Sequence, residues 1–276
     1  MTLSNNPAGA APAIDYHRAF VTSRAHSSMP FPSLADSSSD AYRAHALAVP
    51  DAAREAGVRV VRIDFDANVP LDAPAFSALS DAERARASRF LRVQDARRSA
   101  TTRAALRDAL GAQLGIAPRA LCLCVDAAGR PALAPAHRST LDFNVSHAGD
   151  HALIAWSATC RVGVDIEQCT RALDWRALSR EVCAADEAAY LGALPGDQGA
   201  RVFMQVWTAK EALLKALGTG IAGGLAAFAV VPAHDPLVPA VQVVDPAAAS
   251  AGVAAFDAAW LDAVFGYAAC VAWARG

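Results

Sequence analysis

Val162-Gly163-Val164-Asp165-Ile166-Glu167 alternates apolar residues with small or acidic ones and reads as a β-strand. Side chains two apart in a strand share a face, so Asp165 and Glu167 point one way and Ile166 points the other, into a core. Two like charges on one face repel unless a cation sits between them. Oxygen-only ligands suit a hard ion such as Mg²⁺, which binds through one or two carboxylates plus waters and substrate phosphates. A solvated sheet face with two ordinary acids fits the same residues, and so short a motif does not choose between the two readings.

Further along, Trp207-Thr208-Ala209-Lys210-Glu211-Ala212-Leu213-Leu214-Lys215 reads as a helix that ends at Gly218 and Gly220. Helical neighbours lie four apart, so Trp207, Glu211 and Lys215 form one stripe. A routine Glu-to-Lys surface pair accounts for Glu211 and Lys215, but Trp207 on the same stripe argues that it is partly buried. Lys210 and Lys215 are also the only two lysines in a chain with 25 Lys and Arg together. Where every other basic position is Arg, the two survivors either mark places where a compact ammonium is not exchangeable for a planar guanidinium or are left by chance.

Upstream, Phe143-Asn144-Val145-Ser146-His147-Ala148-Gly149 gathers Asn, Ser, His and Gly at a strand end, donors and close-approach backbone that suit a phosphate. Ser146 and His147 do not read as a nucleophile and its base, because adjacent strand residues point apart and no third group is evident. The stretch holding Arg84, Arg86, Arg89, Arg92, Arg97, Arg98, Arg103 and Arg107 fits a solvated helix face, a clamp on a multiply charged nucleotide, or a surface for an acidic protein partner.

Strand signals at Val60–Phe65, Leu121–Val125, Asp142–Ser146 and Ala152–Trp156 surround a helix over 95–114, preceded by a capping box at Ser80-x-x-Glu83. A second cycle starts near 161, with helices over 174–192 and 200–217 and strands over 227–231, 241–244 and 267–273. This order predicts an N-terminal half over 58–160 and a C-terminal half over 161–276, each mixing helix and sheet. Residues 1–57, rich in Ser, Pro and Ala, are expected to form a disordered or loosely attached extension.

The 276 residues carry 25 Lys and Arg against 27 Asp and Glu, a balance too neutral for a dedicated nucleic-acid binder. The longest uncharged run, Ala216 to His234, is broken by Gly218, Gly220, Gly223, Gly224 and Pro232, so no membrane span is expected. With no secretory signal at the N-terminus, a cytoplasmic location is the default. The six cysteines are read as buried structural thiols, and Cys122-x-Cys124 lacks a second ligand pair at zinc spacing.

Four blocks occur in order: Gly129-Arg130-Pro131, Phe143 to Gly149, Val162 to Glu167, and Trp207-x-x-Lys210-Glu211-x-x-x-Lys215-x-x-Gly218. Together they resemble the 4′-phosphopantetheinyl transferase superfamily, in its larger, Sfp-type monomeric members. The resemblance covers roughly residues 58–276. It implies an α+β fold of two similar α/β half-domains with pseudo-two-fold symmetry and an active site between them. It implies Asp165, Glu167 and Glu211 as ligands of Mg²⁺ or Mn²⁺, with Glu211, Lys215 and His147 in catalysis. Lys210, Lys215, Ser146 and His147 match residues that bind coenzyme A, Gly129, Arg130 and Pro131 match its adenine-side loop, and Arg86 and Ser99 fall near its 3′-phosphate site. Glu83 departs from the pattern, standing where some relatives place a basic residue. The implied reaction moves phosphopantetheine from coenzyme A to a serine of an apo acyl or peptidyl carrier protein. A metal-dependent coenzyme A hydrolase and a non-catalytic coenzyme A binding module are the competing readings.

Overall fold

The stretch 162–168 lies where two sheets meet. The computed structural model describes residues 38–126, 129–169, 173–220, 224–232 and 239–276. In chain order the elements are β1 (Ser38–Ser39), β2 (Tyr42–Ala46), α1 (Asp51–Glu55), β3 (Arg59–Phe65), α2 (Asp81–Ala87), α3 (Val93–Leu114), β4 (Leu123–Val125), β5 (Pro131–Leu133), β6 (Asp142–Ala148) and β7 (His151–Ser157). They continue as β8 (Val162–Gln168), α4 (Trp175–Val182), α5 (Ala185–Ala193), α6 (Gly196–Leu217), β9 (Phe228–Pro232), β10 (Pro239–Val243), β11 (Phe256–Trp260) and β12 (Tyr267–Ala274). The fold is α+β.

One antiparallel sheet has the order β1-β2-β3-β7-β6 and another β11-β12-β8, with β9–β10 and β4–β5 as separate hairpins. Strand β8 gives one edge to β12, with Asp165 opposite Cys270. Its other edge faces β6 through side chains: Val162 N–H donates to Asp142 Oδ2 at 2.8 Å and Val164 N–H to Asn144 Oδ1 at 3.0 Å. These contacts set the two strands side by side in the same direction and join the sheets.

Alternation along β8 then sorts its residues. Val162, Val164 and Ile166 are buried in a core shared with Val60 and Leu153 of the first sheet and Val271 of the second. Gly163 and Asp165 face α6. A separate core lies under α3, with Leu106, Leu110, Ile63, Phe143 and Ile154, and another under α6, with Phe203, Leu213, Phe228 and Cys270. The capping box at α2 is present: Ser80 N–H donates to Glu83 Oε2 at 2.8 Å, and Glu83 N–H to Ser80 Oγ at 3.3 Å.

Several expectations need correction. The extension expected over 1–57 is too long: residues 1–37 lie outside the described residues, but β2 pairs with β3 and buries Ala41, Tyr42 and Ala44. Its buried face is only Tyr42 and Ala44, too short an alternation to give a β signal. The helical stretch read over 174–192 is divided into α4 and α5, because Glu187 Oε2 accepts from Ala184 N–H at 2.8 Å and starts a new helix there. Strand β11, Ala-rich like β2, went unread. The cysteines are not uniformly buried: Cys183 and Cys270 are, whereas Cys122 and Cys124 are exposed.

Gly163 is where α6 comes closest to the sheet. A Cβ there would collide with Ala212 O and stand 2.5 Å from Ala216 N, backbone atoms that cannot swing aside. Gly163→Ala is therefore expected to cost about 2–3 kcal/mol by overpacking, read as a lower urea midpoint at unchanged m-value.

Candidate active site

At the β6–β8 seam, Ser146 from β6 and Asp165 from β8 meet across the two sheets. Ser146 Oγ donates to Asp165 Oδ1 at 2.7 Å. Lys215, one turn beyond Glu211 on α6, brings its ammonium to 2.5 Å from the same Oδ1 and 3.2 Å from Ser146 Oγ. Glu211 Oε2 lies 3.7 Å from that ammonium. Asp165 is 2% exposed, and its other oxygen, Oδ2, is buried with no hydrogen-bond partner among the described residues. The close approach at Gly163 delivers Glu211 and Lys215 to this point. Trp207, on the same stripe, packs its ring against Phe203 at 5.8 Å between centroids.

The charges are tuned against one another. Burial alone would pull the Lys215 ammonium down, but Asp165, then Glu211 and Glu167, outweigh it and hold the group above its ordinary range. It therefore stays charged at neutral pH. Burial pushes the Glu211 carboxyl up, opposed by Lys215 and reinforced by Asp165. An acid raised in this way is a better proton acceptor than a solvated one. His147 shows an exposed surface, yet desolvation and then the nearby Arg98 charge hold its imidazole below the usual range. At neutral pH the ring is uncharged.

Other expected residues are placed differently. Lys210 does not reach the site. Its ammonium is fully buried and donates to Glu187 Oε2 at 2.6 Å, Val182 O at 2.9 Å, Leu225 O at 2.9 Å and Phe228 O at 2.6 Å. A group with no solvent-facing surface cannot bind coenzyme A, so the role expected for Lys210 is corrected to a structural one. Arg130 likewise turns inward, its Nη2 donating to Asp142 Oδ2, Phe143 O and Val162 O at 2.8, 2.7 and 2.6 Å. That guanidinium braces the seam, with Gly129 in the preceding turn and Pro131 opening β5. Arg86, on the last turn of α2, is exposed and makes no ion pair among the described residues. Ser99 sits next to Arg98 on α3, and Arg98 Nε donates to Gly149 O at 2.8 Å. The departure at Glu83 has a local reason: beyond capping α2, it pairs with Arg107 at 2.8 Å and Arg103 at 3.4 Å. Sequence reasoning missed Asp142, Asn144 and Glu187 as organising groups, since only their partners far along the chain reveal them.

Among the described residues no three His, Cys, Asp or Glu side chains converge closely enough to hold a metal ion unaided. The donor set nevertheless fits a hard divalent cation. Asp165 Oδ2 is a buried carboxylate oxygen without a partner among the described residues, and Glu167 and Glu211 both act on Lys215 beside it. Mg²⁺ ordinarily takes only one or two carboxylates and completes its shell with water and substrate phosphate.

Comparison with known proteins bears on what this arrangement is for. Residues 161–254 match the family model described as the 4′-phosphopantetheinyl transferase superfamily, and residues 73–159 match the 4′-phosphopantetheinyl transferase N-terminal model. HetI of Nostoc, named a 4′-phosphopantetheinyl transferase, is 36% identical over 161 residues, covering 56% of this chain and 68% of HetI. The chain belongs to the 4′-phosphopantetheinyl transferase superfamily. A provisionally named 4′-phosphopantetheinyl transferase of Synechocystis, slr0495, is 39% identical over 153 residues, covering 55% of this chain and 62% of that protein. The L-aminoadipate-semialdehyde dehydrogenase-phosphopantetheinyl transferase of Schizosaccharomyces pombe is 28% identical over 177 residues, covering 54% of this chain and 63% of that protein. The matches thus span about two thirds of these relatives' own length.

The corrected role of Lys210 is open to measurement. Lys210→Met strands one partner of a buried ion pair and is expected to cost about 3–5 kcal/mol, seen in urea unfolding. A variant as stable as the parent would contradict the structural role.

Proposed function

We propose that this protein transfers the 4′-phosphopantetheine group of coenzyme A to a serine hydroxyl of an apo acyl or peptidyl carrier protein, releasing adenosine 3′,5′-bisphosphate. The observation that carries the reading is the Asp165–Ser146–Lys215–Glu211 cluster at the seam, within a chain of this superfamily. The reading includes a pseudo-two-fold relation between the halves, supported by a 22-residue helix against antiparallel sheet in each. It takes the enzyme to act as a cytoplasmic monomer. No described helix is long and apolar enough to cross a membrane.

Each residue has a task in this reading. Glu211 takes the proton of the attacking serine hydroxyl, directly or through one water, and its raised carboxyl pKa favours that transfer. The serine oxygen bonds to the β-phosphorus while the bond from that phosphorus to the bridging oxygen breaks. The bridging oxygen leaves with the electron pair as part of adenosine 3′,5′-bisphosphate. Lys215 meets the charge growing on the departing phosphate as a compact point charge. Ser146, turning its one hydroxyl proton from Asp165 to the substrate, and neutral His147 hydrogen-bond the phosphates without adding another cation. Asp165, Glu167 and Glu211 would hold Mg²⁺ or Mn²⁺, which neutralises charge on the phosphate oxygens when bound. Arg86 and Ser99 fall to the 3′-phosphate end and Gly129 and Pro131 to the adenine end.

Two measurements test this. In the first, an apo carrier protein is incubated with this protein, coenzyme A and Mg²⁺, beside an EDTA control, and weighed by mass spectrometry. The expected result is a metal-dependent gain of one phosphopantetheine. Coenzyme A cleaved with no gain on any carrier would favour the hydrolase, and coenzyme A bound but intact would favour the binding module. The second uses Glu211→Gln, expected to lower transfer by roughly 10²–10⁴-fold. An acid whose folded pKa is raised above 4.5 contributes stability only at low pH, and loses it as pH rises through the folded value. At pH 7 the Glu211 charge therefore opposes folding, and the Gln variant should melt no lower than the parent.

A further inference from the structure

The β6–β7 turn carries the phosphate-facing residues Ser146 and His147 on its incoming strand, and it is gripped from two directions. From α3, Arg98 Nε donates to Gly149 O at 2.8 Å, while Arg98 Nη1 is itself held by Asp95 at 2.8 Å. From β12, Tyr267 lays its phenol against Gly149. A Cβ at position 149 would collide with the Tyr267 hydroxyl and stand 3.2 Å from its Cζ. Gly149 takes φ 53°, so both its conformation and its neighbour require glycine. The Tyr267 ring also meets the His151 ring edge-on, with centroids 5.0 Å apart and planes at 89°. His151 is pinned by Asp64 at 2.7 Å, and Asp64 by Arg62 at 2.8 and 2.9 Å. Phe65 N–H closes the far side of the turn on Asp150 O at 3.0 Å.

The origin of Tyr267 gives this packing its meaning. Tyr267 pairs with Gln168 in the β8–β12 ladder, directly beyond Glu167, which pairs with Ala268. The ring therefore leaves the strand pair that carries the carboxylates and rests on the turn of the other sheet that carries the phosphate contacts. We infer that Tyr267 is a positioning residue: its ring fixes the distance between the Ser146–His147 segment and the Asp165–Glu167 carboxylates, and so sets the affinity for the substrate's phosphates. The flat ring does this by contact. Its hydroxyl has no hydrogen-bond partner among the described residues, so the ring and not the phenol proton is the working part.

This inference rests on the transferase reading, and its test separates the two. Coenzyme A binding is measured by titration calorimetry with Mg²⁺, on the full-length parent, Tyr267→Phe and Tyr267→Ala. Steady-state transfer to an apo carrier protein is followed on the same three proteins. The expected result is that Tyr267→Ala raises both Kd and KM for coenzyme A by roughly tenfold, with kcat kept within about twofold, and that Tyr267→Phe restores parental values. A parent that binds no coenzyme A would overturn the transferase reading and the inference with it. A parent that binds and a Tyr267→Ala that binds equally well would overturn the inference alone. So would a fall in kcat at constant KM, the mark of a smaller folded fraction, or a Phe variant as weak as Ala. Should Tyr267→Ala fail to fold, Tyr267→Leu keeps apolar bulk without the flat ring and is read by the same criteria.

Discussion

How near α6 comes to β8 governs the rest of the site. Helix and strand backbones touch because Gly163 has no side chain to hold them apart. Asp165 is two residues further along the same face, and Glu211 and Lys215 immediately precede Ala212 and Ala216, the helix residues that meet Gly163. The contact therefore places a carboxylate and an ammonium at 2.5 Å without either side chain having to stretch. The even residues of β8 meanwhile anchor the strand in the shared core. A shift of register by one residue would put Asp165 into that core and Ile166 against Lys215. Burial of Val162, Val164 and Ile166 is thus also what orients the acid.

The second constraint is how the two sheets join. A strand edge needs partners for its amides. For β8 toward β6, those partners are the side chains of Asp142 and Asn144 in place of a backbone ladder. Arg130 then closes the arrangement, neutralising Asp142 and taking up the carbonyls of Phe143 and Val162. A side-chain-mediated seam holds β6 and β8 side by side with no ladder between them, while each strand pairs on its other edge, β6 with β7 and β8 with β12. Ser146 and Asp165 pair there side chain to side chain.

Much of this was legible in the residues and some was not. The alternation of 162–167, the Ser80–Glu83 box and the glycine end of α6 are local signals, and the structure carries each. The link between Asp165 and Lys215 is not local; the residues alone allowed a surface ion pair on a helix, and only resemblance to a known family joined it to the strand. For Arg130, residue type was informative but direction was not, because Asp142 and two carbonyls, invisible as acceptors in sequence, draw the guanidinium inward. Strands β2 and β11 escaped because alanine fills positions where valine or isoleucine would have announced a strand. Tyr267 escaped because its importance depends on what faces it across the seam.

The two lysines make the sharpest case of a composition that carries physics. Around Lys210, four acceptors approach one nitrogen from different directions inside the core. Three N–H bonds on a tetrahedral centre reach such a scattered set, one of them shared between two acceptors, whereas a planar guanidinium would need a slot with its acceptors in one plane. Burial pulls this ammonium below its ordinary range, with Glu187 opposing. Around Lys215 the ring is smaller and acidic, and the ammonium is held above its range. The same geometric demand, a point charge among converging oxygens, therefore preserves lysine twice on one helix for opposite ends: once to tie α4, α5 and β9 to α6 from within, and once to present charge at the seam. Rarity of lysine singles out both positions, but only burial separates the one enclosed in the core from the one at the seam.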